Sequence, residues 1–332
     1  MKFRILSACA LVCALALGAA AQEAAKQAEA KVSGGEREAA QKIEKAKGTE
    51  ARLQAAAAFV KKYPQSALRK QIAETLANEI AAVTDAQQSL SLAQAYQDIF
   101  NLPDEQQRVT ATLLNGYINT GQTEDAIKLG TAWLAQHPED IPTMQNLTIL
   151  ASAQVIKGNN AYAAQGRQLG AKAIELLEAD KMPAGFDAAR WPDFKKSALV
   201  SLYRETGVIA FKAGDKKAAA ALFEKAAAYN SPDPAVYILL SELDTDEYEL
   251  RAKEYQVSAV ADRPAALKRV EEQLDKVIES YARAIARTDG VAQYAQANTA
   301  FRQDLERYYK FRHKNSTDGM QQLIDKYKKP AQ

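Results

Sequence analysis

The stretch GVIAFKAGDKKAAAALFEKAAAYNSPDP, Gly207–Pro234, decides the fold. Its first seven residues read as a short helix and its Ala-rich middle as a strong one, with Gly214-Asp215 between them. Glycine accepts the left-handed backbone that ends a helix, and an aspartate immediately after it caps the next one. Pro232 and Pro234 then stop the second run, since proline cannot continue a helix. Gly207, Ala219 and Ala226 are small, and Phe223 lies among them. That pattern predicts two antiparallel helices in close contact. One such hairpin cannot bury its own apolar face, so a folded chain requires neighbours of the same kind.

The pattern recurs upstream. In TLLNGYINTGQTEDAIKLGTAWLAQHPED, residues 112–140, Tyr117, Gly121, Ala126 and Pro138 occupy equivalent places, with Trp133 where a small residue is expected. A further unit beginning near Met144 carries Leu147, Leu150, Ala151, Gly158 and Ala163. The turn glycines Gly121 and Gly158 are 37 residues apart. Gly158 and Gly214 are 56 apart, which is one repeat plus about 22 residues of overlong helix and the loop KMPAGFDAARWPDF. Two degenerate units precede these. One is marked by Phe59 and Pro64, the other by the helix pair Ser66–Ala82 and Asp85–Phe100 closed by Pro103. PAVYILLSEL starts another helix that leaves the pattern at DTDEYELRAKEY.

This arrangement resembles the tetratricopeptide repeat in an exported bacterial protein. The resemblance implies an all-α, right-handed superhelix of antiparallel helix pairs over residues 37–262. It also implies a concave groove lined by the first helix of each pair. On this chain the groove positions are Arg108, Ala111, Asn115, Ile118 and Asn119 in one unit and Gln145, Thr148, Ser152, Val155 and Ile156 in the next. Ser201, Arg204, Val208, Phe211 and Lys212 follow in the third. Of these, Arg108, Asn115, Asn119, Arg204, Val208, Phe211 and Lys212 are the expected binding residues, suited to a peptide or protein segment. The carboxylate clamp of co-chaperone repeats is absent, because Ala111 stands beside Asn115 and no asparagine follows Arg204 at the required place.

Beyond Pro264 the repeat pattern ends, but helical periodicity continues through Val270, Leu274, Val277, Ile278, Tyr281 and Ile285, and again through Tyr294, Phe301, Leu305 and Tyr308. A last short helix is expected to start at Ser316 or Thr317 and to bury Leu323, Ile324 and Tyr327. Residues 263–332 are therefore expected to cap the array.

The N-terminus follows different rules. Lys2 and Arg4 precede an apolar run, Ile5 to Gly18, and Ala19-Ala20-Ala21 follows it. That is the layout of a secretory signal, residues 1–21, leading to a periplasmic or secreted location. The run is shorter than the roughly 20 residues a membrane span requires. It also continues well past Cys9, which argues against lipid attachment at the lipobox-like LSAC. Residues 22–36 are polar, aromatic-free and read as a flexible tether.

Both cysteines, Cys9 and Cys13, leave with the signal. So do Lys2 and Arg4, which reduces the 43 basic residues to 41 against 41 acidic ones. A neutral chain without thiols is no general nucleic-acid or membrane-surface binder and has no disulfide framework. The two histidines, His137 and His313, are far apart in sequence, and no nucleotide-binding loop, nucleophile elbow or metal-ligand spacing is present. Lys212, Lys216, Lys217 and Lys225 read as solvated charges on helix surfaces. The resulting expectation is a non-enzymatic scaffold or adaptor of the cell envelope, without cofactor. The alternative is a helical substrate-binding subunit for a small ligand or glycan, with Trp191 and tyrosines stacking on sugar. The apolar loop 181–194 is read as a seal folded onto the overlong helix, with a docking lip as its other reading.

Overall fold

A computed structural model describes residues 32–183 and 186–328. The secretory segment, and the tether up to residue 31, lie outside the described residues. Every regular element among the described residues is helical. In chain order these are α1 (Gly34–Lys45), α2 (Thr49–Lys62), α3 (Arg69–Ala81), α4 (Ala86–Ile99), α5 (Pro103–Gln107), α6 (Thr110–Asn119) and α7 (Thr123–Gln136). They continue with α8 (Ile141–Ile156), α9 (Ala163–Glu178), α10 (Trp191–Lys212), α11 (Lys216–Ala228), α12 (Pro234–Val257), α13 (Arg263–Thr288), α14 (Ala295–Arg312) and α15 (Met320–Tyr327). The fold class is all-α, a helical-repeat solenoid of adjacent helix pairs with extra helices at the C-terminal end. The chain forms two compact units, one ending at Trp133 and the other starting at Leu134.

The first unit begins where Ser33 and Glu36 cap α1 reciprocally. Its helices stack in series, α2 on α4 and α4 on α6. Phe59, Leu76, Ile80, Leu90, Tyr96, Phe100 and Leu113 form its core. One buried polar contact ties α3 to α5. Arg69 donates from Nε to Glu105 Oε1 at 2.6 Å and from Nη2 to Oε2 at 2.8 Å. The other guanidinium donors reach Pro64 O and Asn101 Oδ1, both at 3.1 Å. With both charges buried and every fork direction used, the pair satisfies the requirement for keeping ions inside a protein.

In the second unit α8 packs on α9 and both pack on α10, which in turn pairs with α11. This is the geometry of a repeat array, in which each first helix touches its own partner and the next first helix. The three turn glycines share one conformation: φ is 76° at Gly121, 86° at Gly158 and 79° at Gly214. After each, the same two backbone bonds close the helix, as in Asp215 N to Ala210 O and Gly214 N to Phe211 O, both 3.0 Å. Gly207 is needed for a different reason. A Cβ there would lie 2.8 Å from the Phe223 ring, which is itself fully enclosed.

Four boundaries differ from the sequence reading, the first being that α1 starts at Gly34, inside the stretch 22–36 read as a tether. α10 starts at Trp191, so its first turn takes in part of the expected loop. Pro192 is accommodated because the first-turn N–H groups have no intrahelical partner. DTDEYELRAKEY, where the repeat pattern fails, is continuous helix within α12. Apart from Asp244 at its start, none of its residues is fully buried, so the helix continues there without a fully apolar stripe. Finally, α15 starts after Gly319, not at Ser316 or Thr317. The Ser316 hydroxyl instead accepts from Asp318 N at 3.0 Å, forming a turn ahead of the helix.

The close approach at Gly207 generates a test. Gly207→Val should lower unfolding free energy by about 2 kcal/mol or more, because the buried Phe223 ring cannot give way. Chemical denaturation checks this; an unchanged midpoint would mean that α10 and α11 are further apart than described.

Candidate functional site

The largest cavity described in the second unit, about 530 Å³, lies between the N-terminal half of α10 and the turn before α12. One wall consists of Asp193, Lys196, Ser197, Val200, Ser201 and Arg204. Their spacing of three and four places them on a single helical face. The opposite wall is Tyr229 to Asp233.

Each wall is anchored by its own polar contacts. The α10 end is held by an aromatic cluster in which the Phe186 ring is 5.6 Å from Trp191 and 4.9 Å from Phe194. Trp191 Nε1 donates to Asp180 Oδ1 at 3.0 Å, and Lys195 Nζ donates to the same oxygen at 2.7 Å. Hydrogen bonds from Lys195 and then Trp191 hold the Asp180 carboxyl below its ordinary range. Phe186 thus packs on the first turn of α10, while the Trp191–Asp180 bond ties that turn to the residues just after α9. Trp191 is buried, stacked against Phe194 and in edge contact with Phe186, so it offers no platform for a sugar.

The opposite wall is a shaped turn. Asn230 takes φ 55°, and Ser231 is fully buried, its carbonyl accepting from Tyr237 Oη at 3.1 Å. Asp233 caps α12 by accepting from Ala235 N at 2.8 Å, while its other oxygen accepts from Arg204. Arg204 also pairs with the buried Glu205. Burial works against the Arg204 charge, but Glu205 and Asp233 more than offset it, and the guanidinium is held firmly protonated. Arg204 therefore bolts α10 to the α11–α12 turn. Tyr229, 38% exposed, is backed by the Tyr203 ring 6.1 Å away. Tyr203 in turn donates to Glu178 Oε1 at 2.6 Å, and Lys225 donates to the same oxygen at 2.7 Å.

The sequence-predicted binding residues are distributed over both units. Arg108 is half-buried at the α5–α6 junction, 3.6 Å from Glu74, and Asn115 and Asn119 lie exposed one turn apart on α6. In the second unit Arg204 lines the cavity together with Ser201. Val208 is 8% exposed and points into the packing, Phe211 is half-buried, and Lys212 is exposed at the end of α10. Of the middle-unit groove positions, Thr148, Ser152 and Val155 are in the core, where α9 passes close by at Gly166 and Gly170. Asp193, Lys196, Ser197, Val200 and the 229–233 turn escaped the sequence reading. Their signals were Trp191-Pro192-Asp193 and Ser231-Pro232-Asp233-Pro234, both helix starts with proline in the first turn.

The cavity offers Val200, Tyr229 and Pro232 as apolar surface, with hydroxyls and an amide between them. Neither histidine lines it: His313 stacks on Tyr309 with ring centres 4.1 Å apart, and His137 precedes α8. Among the described residues no group of three or more His, Cys, Asp and Glu is placed to hold a metal ion. No described helix is long and apolar enough to cross a membrane. The lysines around the opening turn are exposed as expected, and two of them form surface pairs, Lys216 with Asp246 at 2.6 Å and Lys225 with Glu178.

A second, 260 Å³ cavity in the same unit contains Asp244, with Glu224, Lys276, Glu279, Ser280 and Arg283 around it. Gln273 Nε2 donates to Asp244 Oδ1 at 3.3 Å, yet burial pushes this carboxyl up to about 6. Its folded value lies above its unfolded one, so the native state binds the extra proton between about pH 4 and 6. Stability therefore falls as pH rises through that window. Asp244→Asn should raise stability at pH 7.5 by about 2 kcal/mol relative to wild type and change it little at pH 4. Thermal melts at the two pH values test this; an equal effect at both would refute it.

No protein-family model and no curated protein matches the chain.

Proposed function

We propose that this protein is a non-enzymatic adaptor of the tetratricopeptide kind, acting in the bacterial envelope and seating an extended segment of a partner protein in the cavity between α10 and the α11–α12 turn. The observation that carries this reading is the cavity itself. It forms on the exposed face of a first helix, beside Ser201 and Arg204, where the repeat resemblance puts its groove. Its volume, of about 530 Å³, suits one or two side chains of a peptide rather than a whole domain. Val200, Tyr229 and Pro232 would take an apolar side chain. Ser197, Ser201 and Asn230 would meet backbone polar groups of a segment crossing between them.

The walls are held before any ligand arrives. The Arg204–Asp233 bond and the aromatic cluster at Trp191 remove much of the ordering cost that a flexible site would bear on binding. The charge-balanced lining, Asp193 with Lys196 and Arg204 with Asp233, supports a neutral apolar segment over a strongly acidic or basic one. The basic and apolar layout of residues 1–21 supports placement outside the cytoplasm.

Selection from a displayed random-peptide library tests the proposal. The expected result is a family of extended peptides with a shared aliphatic or aromatic anchor. Val200→Glu should weaken their binding by about tenfold or more while leaving the melting temperature unchanged, because it places a charge where an apolar side chain must sit. No enrichment, or enrichment insensitive to Val200→Glu and Tyr229→Ala, would overturn the reading.

A further inference from the structure

The pair α12–α13 is longer than the helices that cover it. α12 has 24 residues and α13 has 26, whereas α11 has 13 and α14 has 18. All buried residues of α12 lie between Val236 and Asp244; from Thr245 to Val257 none is buried. Nevertheless its apolar stripe continues. Val236, Leu243, Leu250 and Val257 recur every seven residues and so share one face. The first two are 0% and 4% exposed, the last two 52% and 86%. On α13, Leu267, Leu274 and Tyr281 follow the same interval. Leu274 and Tyr281 are buried in the cluster that includes Leu305 and Tyr308 of α14, but Leu267 is 41% exposed. The cover ends where Arg312, the last residue of α14, donates from Nε to Asp275 at 2.8 Å. Val260, at the tip, is 78% exposed. Exposed aliphatic residues that continue a buried stripe mark a docking face.

We propose that this face is the interface with a second copy of the chain, the two arms lying antiparallel about a twofold axis. The proposal is independent of the cavity at Arg204. The sequence of α12 supplies a self-complementary register. Leu250, Lys253, Glu254 and Val257 lie on one side of the helix, spaced by three, four and seven. With the axis between Lys253 and Glu254, Leu250 meets Val257 of the partner subunit and Lys253 meets Glu254 of the partner subunit. Each contact then occurs twice, as an isologous interface requires.

The charges on the arm favour this occupant over a membrane. Arg251 is paired with Glu247 at 2.6 Å and Lys268 with Glu272 at 3.8 Å, both along their own helices. The side chains left on the arm without an ion pair among the described residues are Glu249, Lys253, Glu254, Asp262, Arg263, Arg269 and Glu271, four acidic and three basic. An anionic lipid surface or a nucleic acid would call for an excess of cations. A nearly balanced set suits a surface that must complement itself.

Sedimentation velocity of the purified protein over a range of concentrations is the test. A reversible monomer–dimer equilibrium at micromolar concentrations is expected. Val257→Asp should give monomer throughout with an unchanged melting temperature, since the side chain is almost fully exposed in one copy. Lys253→Glu should weaken the dimer by about tenfold or more by creating two like-charge contacts, and adding Glu254→Lys should restore it. A wild-type monomer at every concentration, a dimer indifferent to Val257→Asp, or a failed charge-exchange rescue would each overturn the proposal. Binding of a monomeric protein to phosphatidylglycerol vesicles through Val257 and Val260 would overturn it in favour of a lipid surface.

Discussion

The constraint on which the helical layers depend is the closeness of helix backbones at a few side-chain-free points. Gly207 lets α10 reach the Phe223 ring of α11, Gly166 lets α9 reach Ala151 of α8, and Gly170 faces Thr206 and Thr148. In the first unit Gly116 of α6 does the same against Leu90 of α4, where a Cβ would be 2.9 Å from the leucine Cβ. A glycine in a helix interior costs about 1 kcal/mol relative to alanine. Four such residues at layer contacts therefore represent a stability cost that only tight packing offsets. Close packing at these points also explains why the second helix of each pair can be rich in alanine. Ala219, Ala226 and Ala173 are fully buried, and their small side chains bring α9 and α11 onto their neighbours without leaving voids.

Both surfaces assigned a role arise where a helix is longer than its neighbours. α10 has 22 residues against 13 in α11, and its N-terminal half, braced by the Trp191–Asp180 bond, makes one wall of the cavity. α12 and α13 continue past α11 and α14, leaving Leu250, Val257 and Leu267 uncovered. A repeat helix of ordinary length would have been matched by its partner and would present neither surface. Both proposed surfaces therefore come from additions to the repeat, with the regular layers supplying rigidity beneath them.

Much of the fold was legible because its determinants are local. Gly121, Gly158 and Gly214 mark helix ends through backbone conformation alone, and Ala219, Phe223 and Ala226 mark a buried face through spacing alone. The site was less legible. Asn115 and Asn119 are exposed as anticipated, but Thr148 and Ser152, small polar residues read as groove lining, are buried under α9 because Gly166 and Gly170 bring that helix so close. Hydroxyl side chains fit either environment, since a threonine can satisfy itself locally: Thr148 Oγ1 donates to Met144 O at 2.8 Å within its own helix. The 229–233 wall was hidden for another reason. It requires a contact between Arg204 and Asp233, 29 residues apart, and no periodicity encodes that distance.

The two arginine-centred contacts show why one is architecture and the other belongs to a site. Arg69 and Glu105 are enclosed on all sides, so their bond holds α3 and α5 together and nothing else can approach it. Arg204 makes an equally committed pair, with a carboxylate on each side, yet its side chain remains 35% exposed at the edge of an open cavity. A buried ion loses heavily when its partner is removed, which keeps Asp233 and Glu205 in place around it. The same bond therefore fixes the α11–α12 turn and keeps the Arg204 charge from attracting an anion. What the cavity would present to the proposed segment is then set by Val200, Tyr229 and Pro232, so on that proposal apolar shape, more than charge, selects the occupant.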